Sequence, residues 1–231
     1  MHGVVAAMTY RMDTPPESSA EAQTAGWSDT RQVDWYLDRI GQLPPRLAGE
    51  EVLRSVLPAE PRSLLDLGCG DGRLIALALD APPQLAQVVG VDLSAPMLSR
   101  AKERFNSDPR VSVQHWDLAD SLEAFGAFDV VVSGFALHHL KDERKGSLFS
   151  EIAQQLHPGG LFANLEVVAS ATPELHAEFL GLIGRVADDP EDRLAPIGSQ
   201  LRWMRDAGLT QVDCLWRWRG FALLVGRRPA G

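Results

Sequence analysis

Three glycines alternate with single residues directly after a short apolar run, and this arrangement constrains the fold more than any other part of the chain. Residues 63–67 are predicted to form a buried strand, and Gly68, Gly70 and Gly72 follow at its end. Glycine has no Cβ, so it allows a tight turn and lets the main chain approach a ligand closely. A strand, a glycine turn and a helix in this order favour an α/β domain that binds a ligand at the turn, although an ordinary tight turn is the alternative.

Apolar runs typical of strands alternate with helical stretches along the rest of the chain. Such alternation predicts a mostly parallel sheet with helices on both faces. The last two strands lie too close together for a crossover helix, so they are predicted to pair as an antiparallel hairpin at one edge. The predicted strands are 63–67, 87–91, 110–115, 128–133, 160–167, 211–218 and 219–225, and the predicted helices are 28–40, 46–57, 72–79, 94–105, 141–156, 173–186 and 199–207.

The length of 231 residues favours one domain with added segments. Residues 1–26 hold few large apolar groups and are expected to form a mobile tail. Two helices within 27–58, which hold Trp27, Trp35 and Tyr36, are expected to form a lid, and an interface with a partner is the alternative. Residues 59–231 are expected to form the main domain, with a helical insertion at about 170–199.

Charge and cysteine content disfavour several classes of function. Twenty-two basic and 31 acidic residues leave a net charge of -9, which disfavours binding to nucleic acid. Cys69 and Cys214 form neither a disulfide framework nor a CxxC pair, so we expect no metal site and a cytoplasmic location. No apolar run approaches the roughly 20 residues that a membrane helix needs.

The segment 66–72, which reads D-L-G-C-G-D-G, resembles the first motif of the class I S-adenosylmethionine-dependent methyltransferases, E/D-x-G-x-G-x-G. The resemblance covers about residues 62–227 and is to the type that acts on small molecules. It implies a Rossmann-like fold with seven strands, S-adenosylmethionine as cofactor and S-adenosylhomocysteine as product. A nicotinamide dehydrogenase is a weaker alternative, because Arg73 stands where its GxGxxG motif needs the third glycine.

The resemblance also implies which residues bind the cofactor. The carboxylate of Asp66 suits an ammonium group better than a pyrophosphate. Asp92, 20 residues after Gly72, is expected to accept hydrogen bonds from the ribose hydroxyls, with a helix-capping role as the alternative. Asp117 is expected to contact the adenine amino group. The full set of expected cofactor-binding residues is Asp66, Gly68, Cys69, Gly70, Gly72, Asp92, Leu93, Met97, Asp117, Leu118, Gly134 and Phe135.

Two adjacent histidines follow the fourth predicted strand, in the segment A-L-H-H-L at 136–140. An imidazole here could remove a proton from the acceptor, since its usual pKa near 6.5 suits neutral pH. His139 is favoured slightly over His138 as this catalytic residue, and a structural role for both is the alternative. Methyl transfer from a sulfonium can also depend mainly on alignment.

The acceptor is expected to be a small molecule, because neither the D/N-P-P-Y/F motif of adenine methyltransferases nor the Pro-Cys of cytosine methyltransferases is present. Arg39 and Arg46 could bind a carboxylate of the cofactor or acceptor, and ordinary surface charge is the alternative. Two alternatives stay open: synthesis of carboxylated S-adenosylmethionine, and a cofactor-binding subunit without catalysis. The chain is expected to be a monomer or a homodimer.

Overall fold

A computed structural model describes residues 26–40, 43–81 and 84–231. Within them a seven-stranded sheet has the order β3-β2-β1-β4-β5-β7-β6. Strands β1 to β5 run parallel, and β7 pairs antiparallel with both β5 and β6. The predicted Rossmann-like α/β fold with a terminal antiparallel pair is confirmed. The strands are β1 (Ser63–Leu67), β2 (Gln87–Asp92), β3 (Val111–His115), β4 (Phe128–Gly134), β5 (Leu156–Val167), β6 (Thr210–Trp218) and β7 (Phe221–Arg227).

Helices cover both faces of this sheet, and two separate apolar clusters fill the space between the layers. Within the described ranges, no helix has the length and apolar character needed to cross a membrane. The helices are α1 (Thr30–Ile40), α2 (Pro44–Val56), α3 (Arg73–Asp80), α4 (Ala95–Arg104), α5 (Asp142–Gln155), α6 (Pro173–Leu182) and α7 (Ile197–Asp206), with a 3-10 turn at Leu137–His139.

The strand order reverses at β1, which pairs with β2 on one side and β4 on the other. Connections from β1 and β4 leave toward opposite sides, and a crevice therefore opens at the carboxyl ends of these strands. Leu67, the last residue of β1, lies beside Val91 and Ser133. The Ser133 hydroxyl donates to the Leu67 carbonyl at 2.7 Å and so holds β1 and β4 together at the crevice.

Three predicted boundaries are wrong, each for a local reason. β5 begins at Leu156 rather than at residue 160, since Leu156 pairs with Phe128 before a register shift. Helix α6 ends at Leu182 instead of 186, because Gly184 adopts a left-handed φ of 73°. β7 starts at Phe221, not at 219, because Arg219 has a φ of 50° and turns the chain.

Helix α2 rests on the antiparallel end of the sheet. A Cβ at Gly49 would meet side-chain atoms of Leu165 and Trp216 at 2.8 Å, so glycine allows this close approach. The predicted tail falls almost entirely outside the described residues, which begin at Gly26. The division into tail, lid and main domain stays a prediction.

Candidate active site

A pocket opens at the reversal point of the sheet, where the ends of β1, β2 and β4 meet. It holds about 1010 Å³ of space when its opening to solvent is counted. Side chains from α1 and α2 cover one side of it. Eleven of the twelve residues predicted to bind the cofactor line this pocket: Asp66, Gly68, Cys69, Gly70, Asp92, Leu93, Met97, Asp117, Leu118, Gly134 and Phe135. Gly72 is the exception.

The glycine turn is held in a left-handed conformation that favours glycine. Gly68, Gly70 and Gly72 have φ values of 71°, 54° and 81°. A Cβ at Gly68 would collide with the side chain of Ala136, so the turn needs glycine here for space as well as for φ. The amides of Gly68 and Cys69 both donate to the Val91 carbonyl, at 2.8 and 2.9 Å.

Gly72 has a different place from the other two glycines. It caps the start of α3 and is buried, and a Cβ there would collide with the ring of Phe105. The structure therefore gives Gly72 a packing role beneath the turn. Its predicted contact with the cofactor has no support from its position.

Asp66 is the most unusual residue of the pocket. Its side chain is 1% exposed, and neither carboxylate oxygen has a hydrogen-bond partner among the described residues. Burial, together with the nearby carboxylates of Asp92 and Asp71, raises its pKa well above the usual value. A buried acceptor without a partner is costly unless a ligand supplies the donor. An ammonium group of a ligand fits this need.

Asp92 joins the end of β2 to the glycine turn. Its Oδ2 accepts from the Gly70 amide at 2.8 Å and its Oδ1 accepts from the Ser94 amide at 2.7 Å. Burial raises its pKa, and these amide hydrogen bonds oppose the rise. The cap of α4 is Ser94, whose hydroxyl accepts from the Met97 amide at 3.3 Å. Asp92 is therefore not the cap itself, and its remaining lone pairs face a pocket that it lines.

The far side of the pocket is shaped by residues after β2 and β3. Met97 is buried and lies 3.8 Å from a Cβ position at Gly70, whereas Leu93 is 55% exposed. Asp117 Oδ1 accepts from the Ala119 amide at 2.8 Å, which fixes the loop after β3. These positions agree with a flat ring bound between the loops, and the individual contacts stay predictions.

Phe135 lies where β4 gives way to the 3-10 turn and has a φ of 55°, which is rare for a residue with a side chain. Its amide donates to the Leu165 carbonyl at 2.8 Å, and its ring packs edge-on against Phe221 at 5.1 Å. Residues held in such conformations by their surroundings are concentrated at functional sites.

The two histidines differ in position. His139 lines the pocket and lies 5.8 Å from the Trp27 ring, whereas His138 is buried behind it, with Nδ1 2.6 Å from Glu166 Oε1. Burial and the neighbouring His138 lower the pKa of His139 to about 3. An imidazole with so low a pKa holds a transferred proton weakly. A direct proton transfer stays a prediction for His139, and the position of His138 outside the pocket disfavours it there.

A network of Arg46, Arg73 and Glu50 forms another wall of the pocket. The sequence predicted only part of it. Arg46 is 7% exposed, donates to Glu50 at 2.9 Å and to the Tyr36 hydroxyl at 3.0 Å, and lies 4.8 Å from the Phe135 ring centre. Arg73 makes two hydrogen bonds to the same Glu50, at 2.6 and 2.7 Å. Two guanidinium groups thus share one carboxylate, which leaves a net positive charge.

The sequence singled out Arg46 and Tyr36 but missed the part of Glu50. The i,i+4 spacing of Arg46 and Glu50 on one helix was a signal that could have found it. Arg39 does not line the pocket and instead lies 5.3 Å from the Trp35 ring centre.

Comparisons with known proteins agree with the motif and the pocket. Residues 64–160 match a family model described as a methyltransferase domain. An uncharacterised methyltransferase of Mycobacterium tuberculosis is 36% identical over 126 residues, which are 54% of this chain and 59% of that protein. The carboxy-S-adenosyl-L-methionine synthase of Shewanella amazonensis is 27% identical over 94% of this chain and 99% of that enzyme.

Solved structures share the same fold. An O-methyltransferase family protein from Burkholderia thailandensis has a TM-score of 0.68 and 26% identity, over 88% of this chain and 61% of that one. The glycine motif, the strand order and these matches show that residues 64–160 lie in a methyltransferase domain of the class I, S-adenosylmethionine-dependent type. It spans about 59% of the length of the mycobacterial relatives it matches.

Proposed function

We propose that this protein transfers the methyl group of S-adenosylmethionine to an oxygen, nitrogen or carbon atom of a small-molecule acceptor. One observation carries the proposal: the buried Asp66 carboxylate lacks a hydrogen-bond partner within the described chain and lines a pocket built around a glycine turn. The methionine part of this cofactor carries an ammonium group, which can donate to both oxygens. The site and the donor set therefore fit the cofactor.

The residues of this chain supply binding and alignment. Asp66 would hold the ammonium group, and Asp92 would accept from the ribose hydroxyls while it keeps the Gly70 amide in place. The bound cofactor supplies an activated methyl group on a sulfonium sulfur. Since the methyl group is already activated, holding the acceptor in line with it accounts for a large part of the possible acceleration.

The N-terminal segment is proposed to act as a lid that excludes water. The Ser94 hydroxyl donates to the Trp27 carbonyl at 2.5 Å, and the Trp27 ring packs edge-on against Tyr36 at 5.1 Å. Both aromatic residues line the pocket. Removing water from the site strengthens its electrostatic interactions and favours in-line displacement over hydrolysis.

The acceptor is proposed to be a small molecule that carries an anionic group. The net charge of -9 disfavours polyanions such as nucleic acid. At the pocket wall, however, the guanidinium groups of Arg46 and Arg73 share the single carboxylate of Glu50, so this part of the wall has a net positive charge. The local charge favours an anionic group of the acceptor at this place. A single carboxylate can bind at Arg46 without the repulsion that a long polyanion would meet over the rest of the surface.

A second candidate reaction is synthesis of carboxylated S-adenosylmethionine. It is favoured by the match to the Shewanella synthase, which spans 99% of that enzyme, and by the same cationic wall. In this reaction a carboxylate-bearing donor would lose its carboxyl group as CO₂, which would bond to the cofactor's methyl carbon, while the proton lost from that methyl group would be taken up by the remainder of the donor. Mass spectrometry of the cofactor product distinguishes the two, since methyl transfer yields S-adenosylhomocysteine and the alternative yields a heavier cofactor.

Calorimetric titration with S-adenosylmethionine and S-adenosylhomocysteine tests the proposal first. Micromolar binding to the wild-type protein, weakened at least about tenfold in Asp92→Ala, is expected because charged hydrogen bonds contribute about 1.5–3 kcal/mol. Asp120→Ala is the matched control, since Asp120 is exposed and does not line the pocket. Absence of heat with both ligands would remove the function and leave the fold intact. Binding without turnover on any acceptor would favour the non-catalytic subunit.

A further inference from the structure

Two histidines and an aspartate from distant parts of the chain converge at the edge of the pocket, which His139 lines and the other two do not. His138 and His139 lie on the 3-10 turn after β4, and Asp192 lies in the loop between α6 and α7. His138 Nε2 is 3.5 Å and His139 Nδ1 is 3.6 Å from the same oxygen, Asp192 Oδ1. One possible ligand atom from each of the three residues lies within 4.8 Å of the other two.

These distances are too long for good hydrogen bonds, which join nitrogen and oxygen at about 2.7–3.2 Å. They match the separation of two ligands on one ion, because tetrahedral bonds of about 2.0–2.2 Å place ligand atoms roughly 3.3–3.6 Å apart. A second histidine–aspartate pair in the same part of the chain shows the contrast. His176 Nε2 lies 2.8 Å from Asp188 Oδ2, at ordinary hydrogen-bond distance.

Glu166 orients one of the two imidazoles. Its Oε1 lies 2.6 Å from His138 Nδ1, and the Glu166 side chain is 1% exposed. When His138 Nδ1 donates to Glu166 in this contact, the neutral imidazole has its lone pair on Nε2, on the side of Asp192. A carboxylate that holds the outer nitrogen of a ligating histidine is a recurrent feature of metal sites.

The other imidazole also has a free nitrogen. His139 Nδ1 is buried and has no hydrogen-bond partner within the part of the chain that the structure describes. A buried nitrogen without a partner destabilises the fold unless something bonds to it, and a cation can do so.

The charges around the three groups leave room for a cation. Glu166 and Asp192 contribute two carboxylates. Arg185 approaches Asp192 on its other oxygen, Oδ2, at 3.9 Å, and so leaves Oδ1 to face the histidines. The buried Lys145 ammonium is occupied by Asp142 at 3.0 Å and by the Arg193 carbonyl.

We propose that His138 Nε2, His139 Nδ1 and Asp192 Oδ1 bind a divalent transition-metal ion such as Zn²⁺. The ion ties the loop between α6 and α7 to the turn after β4. Three protein ligands leave a fourth position for water or for an acceptor oxygen, as in catalytic zinc sites. The binding of an acceptor oxygen at the fourth position rests on the proposed methyl transfer. The binding of the ion to the three side chains does not, and it is measured without any cofactor.

Titration of the chelator-treated, untagged full chain with ZnCl₂ in a calorimeter tests the site. We expect one Zn²⁺ per chain, and at least about tenfold weaker binding in Asp192→Asn, which keeps the shape of the side chain and removes its charge. Glu166→Gln is expected to weaken binding about 10- to 100-fold through His138. His176→Gln is the matched control and should bind Zn²⁺ like the wild-type protein.

Absence of binding by the wild-type protein would overturn the proposal. Equal Zn²⁺ affinity in the wild-type protein and a folded Asp192→Asn variant would do the same, because the ion would then lie elsewhere. Co²⁺ supplies a second readout that does not depend on a folded variant. Visible absorption bands with intensities typical of four-coordinate Co²⁺ are expected for the wild-type chain, and the weak spectrum of hexaaqua Co²⁺ alone would count against the site.

Discussion

The Asp92 carboxylate accepts a hydrogen bond of 2.8 Å from the Gly70 amide and so joins the end of β2 to the turn after β1. The same carboxylate lies in the pocket close enough to Asp66 to raise its pKa. The half-buried carboxylate of Asp92 therefore holds the turn, while the buried carboxylate of Asp66 is left without a partner among the described residues and is available to a ligand. This division of roles leads to predictions that separate stability from binding.

Asp66→Asn should bind S-adenosylmethionine at least about tenfold more weakly at pH 7.5 and yet be more stable without it. Burial raises the pKa of Asp66 in the folded protein, because a charged carboxylate is unfavourable there. The free energy of unfolding therefore falls as pH rises through that pKa and the buried carboxyl ionises. The amide has no charge to bury. Calorimetry measures the affinity, and thermal unfolding of the free protein measures the stability.

Asp108→Asn is the control with the opposite sign. The hydrogen bonds from Arg110 lower the pKa of the partly exposed Asp108 carboxyl, so removing this charge should not stabilise the protein. The affinity of the wild-type protein for the cofactor should also fall as pH falls through the raised pKa of Asp66. A wild-type affinity that stays constant down to pH 4 would contradict the role of the carboxylate.

Gly68→Ala should abolish cofactor binding and destabilise the protein by about 2–4 kcal/mol, because its Cβ would collide with Ala136 in addition to the strain of a positive φ. Gly126→Ala separates the two effects. Gly126 has a φ of 52° but no atom within 4 Å of a Cβ position, so only the smaller strain of about 1 kcal/mol is expected. Chemical denaturation measures the free energy of unfolding of both variants. Equal losses of stability would show that the protein relieves the collision between the new Cβ at position 68 and Ala136.

Glu50→Gln should destabilise the protein by about 2 kcal/mol at pH 7, since both Arg46 and Arg73 lose their shared carboxylate. Burial raises the pKa of Glu50, but the hydrogen bonds and charges of the two arginines lower it more. The contribution is therefore present above the unfolded pKa of 4.5 and is lost as pH falls through the lowered folded value.

Urea denaturation over a pH series measures the difference in free energy of unfolding between the wild-type protein and Glu50→Gln. This difference should become smaller below pH 4.5. Glu51→Gln is the matched control, because Glu51 is exposed and lies 3.7 Å from Arg54, where an ion pair contributes less than about 1 kcal/mol. A loss in Glu50→Gln that stays the same at every pH would mean that shape, and not charge, holds the network.

Arg46→Gln should weaken binding of an anionic acceptor, or of the cofactor's carboxylate, by about 10- to 100-fold, because a charged hydrogen bond is lost from a buried site. Arg39→Gln should leave both affinities unchanged, since Arg39 packs on Trp35 and does not line the pocket. KM and Kd for acceptor and cofactor distinguish the two ligands. Unchanged values in a folded Arg46→Gln variant would exclude carboxylate binding at this arginine.

Local sequence determined the sheet and the glycine turn. Strands and tight turns depend on backbone geometry within a few residues, and residue type and spacing predict that geometry. The alternating apolar runs therefore predicted the strands, and Gly68, Gly70 and Asp92 predicted the turn and the acid beside it. The class of cofactor followed from the same short motif. Gly72 shows the limit of this reasoning, because the motif places it at the cofactor and only its contact with Phe105 reveals a packing role.

Tertiary structure alone decided which distant groups meet. Glu50 and Arg73 are 23 residues apart, and Asp192 reaches His138 and His139 from the loop after α6. Sequence by itself could name the strand, the turn and the acids at their ends, since these depend on local conformation. The cationic wall and the histidine–aspartate cluster depend on how helices pack on the sheet, and no local pattern encodes the distance between side chains brought together in that way.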